Sequence, residues 1–117
     1  MGKLTTHVLN LNSGMPAVAM RIELLTPPVM SSTSTLAFIT NADGRVAQPL
    51  LEDAALQHGN YALLFHVAEY FRALGTALAD PPFIDVVRIE FGIADVQQNY
   101  HVPLLVTPWS YSTYRGS

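Results

Sequence analysis

The chain has 117 residues, close to the most common domain size, and we expect a single domain over residues 1–117. Half of the residues are hydrophobic and only 13% are charged, which predicts that subunits bury apolar surface against one another. The net charge of −3, without runs of like charge, predicts no nucleic-acid or membrane partner, and the absence of cysteine excludes disulfides, thiolate nucleophiles and cysteine-based zinc sites.

The first predicted element is a strand from Leu4 to Leu11. The segment around it lacks the apolar run of about 7–15 residues found in signal peptides, and no stretch approaches the roughly 20 apolar residues of a membrane span. We therefore expect a cytoplasmic protein. His7 lies on the strand face opposite Thr6 and Val8. Parity alone does not show which face is the core, and a lone strand histidine is usually a surface or hydrogen-bonded residue.

The next segment contains two predicted strands and a turn. Alternation is regular in Ala17–Leu24, where one face carries Val18, Met20, Ile22 and Leu24, and a less regular strand is predicted for Ser34–Thr40. Asp43 and Gly44 then form a hairpin-type turn signal with Arg45 just past its tip. There the planar guanidinium could offer two donors to a carbonyl or oxyanion, although a solvated turn arginine has the same pattern.

Two strands and a helix are predicted in the middle of the chain. Apolar residues alternate from Tyr61 to Val67 and again from Val87 to Phe91. Between them, the segment AEYFRALGTAL (residues 68–78) has its apolar residues at helical spacing and predicts one short helix. We assign His58, which precedes a turn, and His66, which has no partner at metal-ligand spacing, to structural roles rather than to a zinc site.

The last predicted strands are Tyr100–Val106 and Trp109–Tyr114. His101 lies on the face opposite Tyr100 and Val102, so it projects away from the core that these residues suggest. An outward histidine on an apolar strand needs either solvent or a site. The chain then ends with Tyr-Arg-Gly-Ser, for which the ordinary interpretation is a frayed terminus.

The order of these elements predicts the fold class. Seven to eight short strands with turn signals between them and only one short helix indicate an antiparallel β-sandwich rather than a parallel α/β sheet. No GxSxG, P-loop or GxGxxG motif is present, so nothing supports a nucleophile elbow or a nucleotide site.

Three segments together resemble the 5-hydroxyisourate hydrolase family: LTTHVLNLNSGMPA, TNADGR and YHVPLLVTPWSYSTYRGS. They span nearly the whole chain, and the terminal YRGS distinguishes this family from true transthyretins, the hormone carriers that share the fold. The resemblance implies a transthyretin-like (prealbumin-like) antiparallel β-sandwich. It also implies a homotetramer, a dimer of dimers with the active sites in the groove between dimers.

The activity implied by the resemblance is hydrolysis of 5-hydroxyisourate to 2-oxo-4-hydroxy-4-carboxy-5-ureidoimidazoline in urate degradation, without a metal or other cofactor. The catalytic residues of the family map onto His7, Arg45 and His101. The substrate-binding residues map onto the last four, which are Tyr114, Arg115, Gly116 and Ser117 with its terminal carboxylate.

Each implied residue has a chemical role in this reaction. The imidazoles of His7 and His101 are suited to acid–base work near neutral pH, and Arg45 would hold a carbonyl or a developing oxyanion. Two questions stay open: which histidine is the general base, and what separate roles Arg45 and Arg115 have. The alternatives are a non-catalytic transthyretin-like carrier of small ligands and a purely structural sandwich module. Retention of both histidines, Arg45 and YRGS argues against each.

Overall fold

The computed structural model describes residues 1–29 and 35–117, which form nine strands in two sheets, one α-helix and a short 3-10 helix at Asp53–Ala55. The strands are β1 (Lys3–Asn10), β2 (Met15–Pro16), β3 (Arg21–Leu25), β4 (Leu36–Ile39), β5 (Leu51–Glu52), β6 (Gly59–His66), β7 (Val86–Ile93), β8 (Tyr100–Val106) and β9 (Tyr111–Thr113). The helix, α1, covers Val67–Ala73. Among the described residues, no helix is long and apolar enough to cross a membrane.

The strands form a two-layer sandwich. One sheet has the order β2-β1-β8-β9, with β5 also pairing with β1, and the other has the order β4-β3-β6-β7. The predicted all-β sandwich with one short helix is confirmed. It departs from a purely antiparallel arrangement at its centre, because β1 and β8 run parallel. Parallel neighbours need a long connection, and here the whole second sheet lies between them in the chain.

The core lies between the two sheets, so each strand has one face toward the core and one outer face. On β1 the buried side chains alternate with partly exposed ones, and β8 contributes Val102, Leu104 and Val106 to the interior. The opposing sheet contributes a fully buried apolar layer that includes Ile22, Leu24, Leu63 and Phe65. The period of two along a strand therefore leaves Thr5, His7 and His101 on the outer face of the first sheet.

The predicted strand Ala17–Leu24 is wrong in its first half, since β3 begins only at Arg21. Before it the chain crosses from one sheet to the other: the Ala17 amide donates to Val8 O in the first sheet, and the Ala19 amide donates to Thr40 O. Ala19 adopts φ +64° at this crossing, which breaks the alternation. Val18 is consequently exposed instead of sharing a buried face with Met20.

Three other predicted boundaries also differ. The helix ends at Ala73 rather than at residue 78, because the amides of Gly75 and Thr76 turn back to carbonyls in the last helical turn. The last strand is confined to β9. Within the predicted strand Ser34–Thr40, β4 occupies Leu36–Ile39, and Ser34 lies outside the described residues.

Candidate active site on the outer face of the first sheet

The parallel pairing of β1 with β8 brings two predicted site residues together. Thr5 lies opposite His101 in the register, and His7 lies opposite Pro103. The Nδ1 atom of His7 is 2.6 Å from Nε2 of His101, and the two rings are nearly parallel, with their centroids 4.8 Å apart. Both side chains are partly buried. Residues 94 positions apart in the chain thus form one hydrogen-bonded pair.

His101 is held from two further directions. Its Nδ1 atom lies 2.7 Å from the Thr5 hydroxyl, on the side opposite its contact with His7. Its backbone is bridged to Gly116, with the Gly116 amide donating to His101 O at 2.7 Å and the His101 amide donating back at 3.2 Å. A Cβ atom on Gly116 would lie 3.0 Å from His101 Cβ. Glycine at this position therefore lets the chain end pack directly against the histidine.

The turn that precedes Arg45 places its backbone beside His7. Gly44 has φ +72°, and its carbonyl accepts the Val8 amide at 2.8 Å, so the turn lies against β1 beside His7. Arg45 forms an isolated backbone bridge pair with His7, and its side chain is exposed. Asn41 closes the turn with two hydrogen bonds. Its side-chain oxygen accepts the backbone N–H of Arg45, and its backbone N–H donates to the backbone carbonyl of Arg45.

This environment keeps both imidazoles neutral. Burial lowers the pKa of His7 below its ordinary value, and the positive charge of Arg45 lowers it further. The pKa of His101 is lowered by burial, by His7 and by Arg45. At neutral pH each ring therefore carries one proton and one lone pair, which is the state required of a general base.

The structure places the four residues of the predicted substrate-binding tetrapeptide in two different environments. Gly116 lies against His101, and the exposed Ser117 follows it. The Arg115 guanidinium instead donates to Gln98 Oε1 and Asn99 O, each at 3.0 Å, and lies 4.3 Å from the centroid of the Tyr100 ring. Tyr100 points into the sandwich, away from His101. Arg115 and Tyr114 accordingly line a cavity of about 230 Å³ that opens between β7 and β9.

The two remaining histidines lie outside this site. His66 Nε2 is 2.6 Å from Glu23 Oε1, and its Nδ1 lies 3.2 Å from the Arg21 guanidinium. Because arginine can only donate, His66 Nδ1 accepts and Nε2–H donates, so the ring is held in a structural network. His58 is exposed. No group of three or more residues suited to bind a metal ion occurs in the described part of the chain.

Thr5 is the site residue that sequence reasoning missed. Its parity with His7 was visible, but its contact with His101 depends on the pairing of two strands that lie 96 residues apart. Asn41, which closes the turn before Arg45, was also not assigned to the site. Its residue type and its position just before Asp43 and Gly44 in the TNADGR segment are a signal that indicates a turn-capping role.

A two-sheet sandwich with a parallel β1–β8 pair and a histidine pair on the outer face of that sheet defines a transthyretin-like protein with a polar surface site. The sequence pattern described as the HIUase/Transthyretin family matches residues 4–116. The chain belongs to this family.

Curated relatives match over the full length. The chain is 52% identical over 117 residues to the 5-hydroxyisourate hydrolase of Ralstonia nicotianae, with complete coverage of both chains. It is 50% identical over 114 residues to the 5-hydroxyisourate hydrolase of Deinococcus radiodurans, covering 97% of this chain and 95% of that protein. The resemblance read from the three motifs is confirmed.

Solved structures share the fold at lower sequence identity. A crystal structure of (S)-allantoin synthase has a TM-score of 0.91 and 45% identity; the match covers 99% of this chain but spans only 44% of that longer chain. The 5-hydroxyisourate hydrolase of Klebsiella pneumoniae has a TM-score of 0.81 and 31% identity, with both chains fully covered. Sea bream transthyretin in complex with thyroxine has a TM-score of 0.84 but 22% identity over 97% of this chain and 94% of its own, so it shows the fold alone.

Proposed function

We propose that this protein hydrolyses 5-hydroxyisourate to 2-oxo-4-hydroxy-4-carboxy-5-ureidoimidazoline in urate degradation. The observation that carries the proposal is the hydrogen-bonded pair of neutral imidazoles, His7 and His101, placed beside Arg45 on the outer face of the first sheet. Relatives that are 50% and 52% identical along the chain bear the name of this activity.

The chemistry needs a base, an acid and a stabiliser of negative charge. Water loses a proton to an imidazole as its oxygen bonds to a ring carbonyl carbon, and the Arg45 guanidinium stabilises the oxyanion that forms. The bond from that carbon to the ring nitrogen then breaks, and the same proton passes to the departing nitrogen. His7, Arg45 and His101 are thus the proposed catalytic residues, and the scheme routes no step through a metal.

The chain end is the proposed border of the substrate pocket. Gly116 lies against His101 and Ser117 follows it directly, so we place these two residues beside the substrate. Tyr114 and Arg115 line the cavity between the sheets instead. A substrate contact from Arg115 requires its side chain to leave Tyr100 and the acceptors near Asn99.

We also propose that each subunit is one sandwich domain, that four subunits assemble as a dimer of dimers in the cytoplasm, and that the sites lie between dimers. The site is on an outward sheet face rather than in a closed cavity. Large apolar side chains are exposed in the loops and strands of the same sheet, including Leu11, Met15, Trp109 and Tyr111. Covering them in an assembly would remove apolar surface from water and enclose the site.

The test of the proposed activity follows the ultraviolet absorbance of freshly generated 5-hydroxyisourate, with circular dichroism to detect stereoselective turnover. Wild-type protein should accelerate the decay, and His101→Asn should lower kcat by about 10²- to 10⁴-fold, as expected for a lost acid–base group. The matched control is His58→Asn, which changes an exposed histidine outside the site. Decay at the spontaneous rate with wild-type protein would contradict the proposal, and ligand binding without turnover would indicate a carrier.

A further inference from the structure

The Thr5 hydroxyl extends the histidine pair into a chain of three residues. Thr5 Oγ1 lies 2.7 Å from His101 Nδ1, and His101 Nε2 lies 2.6 Å from His7 Nδ1. The chain therefore runs through both nitrogens of His101 and ends at Nε2 of His7. We propose that Thr5 is a positioning residue for the hydrolysis proposed above, because its hydroxyl sets the tautomer of His101 and, through it, which nitrogen of His7 is free to act as base.

The inference follows from counting protons along the chain. A neutral imidazole carries one N–H and one lone pair, so each hydrogen bond decides the direction of the next. If Thr5 accepts from His101 Nδ1–H, then His101 Nε2 must accept from His7 Nδ1–H. The Nε2 atom of His7 is then an unprotonated base. If Thr5 donates instead, every bond reverses and His7 Nε2 carries a proton.

A hydroxyl fits both directions, because it can donate or accept at the same position by rotation. In the resting enzyme the accepting direction leaves His7 Nε2 free to take the proton of water. Once His7 Nε2 has taken the proton of water, the Nδ1 proton of His7 passes to His101 Nε2, and the protonated His101 donates through Nδ1 to the Thr5 oxygen. His101 then returns its Nε2 proton to His7 Nδ1 as His7 Nε2 gives its proton to the departing nitrogen, so the pair ends with the protons it started with.

The neighbouring residue Thr6 is a control for Thr5, because the Thr6 hydroxyl has a packing role rather than a positioning role. Thr6 points into the core, where its hydroxyl donates to Val102 O at 2.6 Å and ties β1 to β8. Thr5 lies on the outer face, and its hydroxyl is hydrogen-bonded to the His101 ring. Among the described residues, the charged or titratable groups that lower the pKa of His101 are His7 on β1 and Arg45 after the Gly44 turn.

The first experiment compares Thr5→Val, which keeps the shape and removes the hydroxyl, with Thr5→Ser, which keeps the hydroxyl. Thr5→Val should lower kcat by about 10- to 100-fold, a loss of the size seen when the partner that orients a metal-bound histidine is removed, with little change in KM. The acid limb of its pH profile should move to lower pH, because protonated His101 loses an acceptor. Thr5→Ser should restore both values to near those of the wild type.

Thr6→Val is the control for a loosened strand pair, and it should lower the stability while leaving the acid limb in place. A Thr5→Val enzyme with the kcat and pH profile of the wild type would overturn the proposal. So would an equal shift of the acid limb in Thr6→Val.

The second experiment does not depend on turnover. Nitrogen NMR of isotope-labelled histidines in the wild-type protein should show His101 protonated at Nδ1 and bare at Nε2. In Thr5→Val this preference should be lost, and in Thr5→Ser it should return. A bare Nδ1 in the wild type refutes the role of Thr5 even if the hydrolysis is confirmed. The expected tautomers in a protein that does not hydrolyse 5-hydroxyisourate would refute the proposed function instead.

Discussion

In the proposed mechanism Arg45 has two effects, and they oppose each other. Its positive charge is suited to stabilise an oxyanion, and it also lowers the pKa of both histidines. A lower pKa keeps the imidazoles unprotonated into mildly acidic solution, but it also makes each imidazole a weaker base. In the proposed mechanism the lowered pKa values thus extend activity to lower pH at some cost in basicity.

Replacement of Arg45 by glutamine should separate these effects. The pKa of His7 should rise part of the way back toward 6.5, because burial, the larger cause of its depression, remains. The acid limb of activity should therefore move to higher pH, while kcat falls because the oxyanion loses its partner. NMR titration of the His7 ring measures the pKa directly. An unchanged His7 pKa would show that Arg45 exerts no charge effect at this distance.

The turn before Arg45 depends on the close packing of Gly44 as well as on its backbone conformation. A Cβ atom at this position would lie 2.5 Å from Val8 O, which is too close for the turn to remain against β1. Gly14 offers a comparison, since it has nearly the same φ, +75° against +72°, but has nothing within 4 Å of its Cβ position.

Both Gly44→Ala and Gly14→Ala should lose stability, by about 1–2 kcal/mol for a left-handed alanine. Only Gly44→Ala should also lose activity, because the displaced turn moves Arg45 away from His7. Denaturant unfolding and kcat measured on both variants test this. Equal activity in the two proteins would mean that the position of the turn does not matter for the site.

Elements with regular alternation of apolar residues could be predicted from the sequence. β1 and β7 alternate in burial, β6 and β8 do so except at Ala62 and Pro103, which are also buried, and the helix begins within one residue of the predicted start. The crossing around Ala19 could not, because tertiary contacts to both sheets impose its conformation. His7, Arg45 and His101 were predicted as catalytic residues through motif resemblance, and the structure places them close together. The contact of Thr5 with His101 required a strand register that no local pattern contains, and so did the stacking of Arg115 on Tyr100.

Across the whole molecule, apolar side chains remain exposed at both sheets. Trp109 is 62% exposed and Met15 also 62% in the first sheet and its loops, whereas Phe83, in the segment before β7, is 80% exposed. The proposed assembly concerns the first group, because it accompanies the sheet that carries the site.

In light-scattering measurements the wild-type protein should therefore be a tetramer. Met15→Glu, which puts a charge on the apolar surface near the site, should shift the equilibrium toward smaller species and lower the activity together. Phe83→Glu should leave the assembly unchanged. A monomeric wild type, or dissociation caused only by Phe83→Glu, would show that the outer face of the first sheet is not the interface.

The alternation of β1 has a consequence for how such a site can change over evolutionary time. Core and chemistry are interleaved on one strand, with Thr6 and Val8 facing inward and Thr5 and His7 outward. Substitutions at the outward positions can exchange one chemistry for another without repacking the interior. A single residue inserted or deleted between Thr5 and Val8 would instead put the two parts of the strand out of phase, so that one part presents the wrong side chains to the core. Substitution is therefore the simpler route to new activities on this strand, because a change of length within it disturbs the core and the site together.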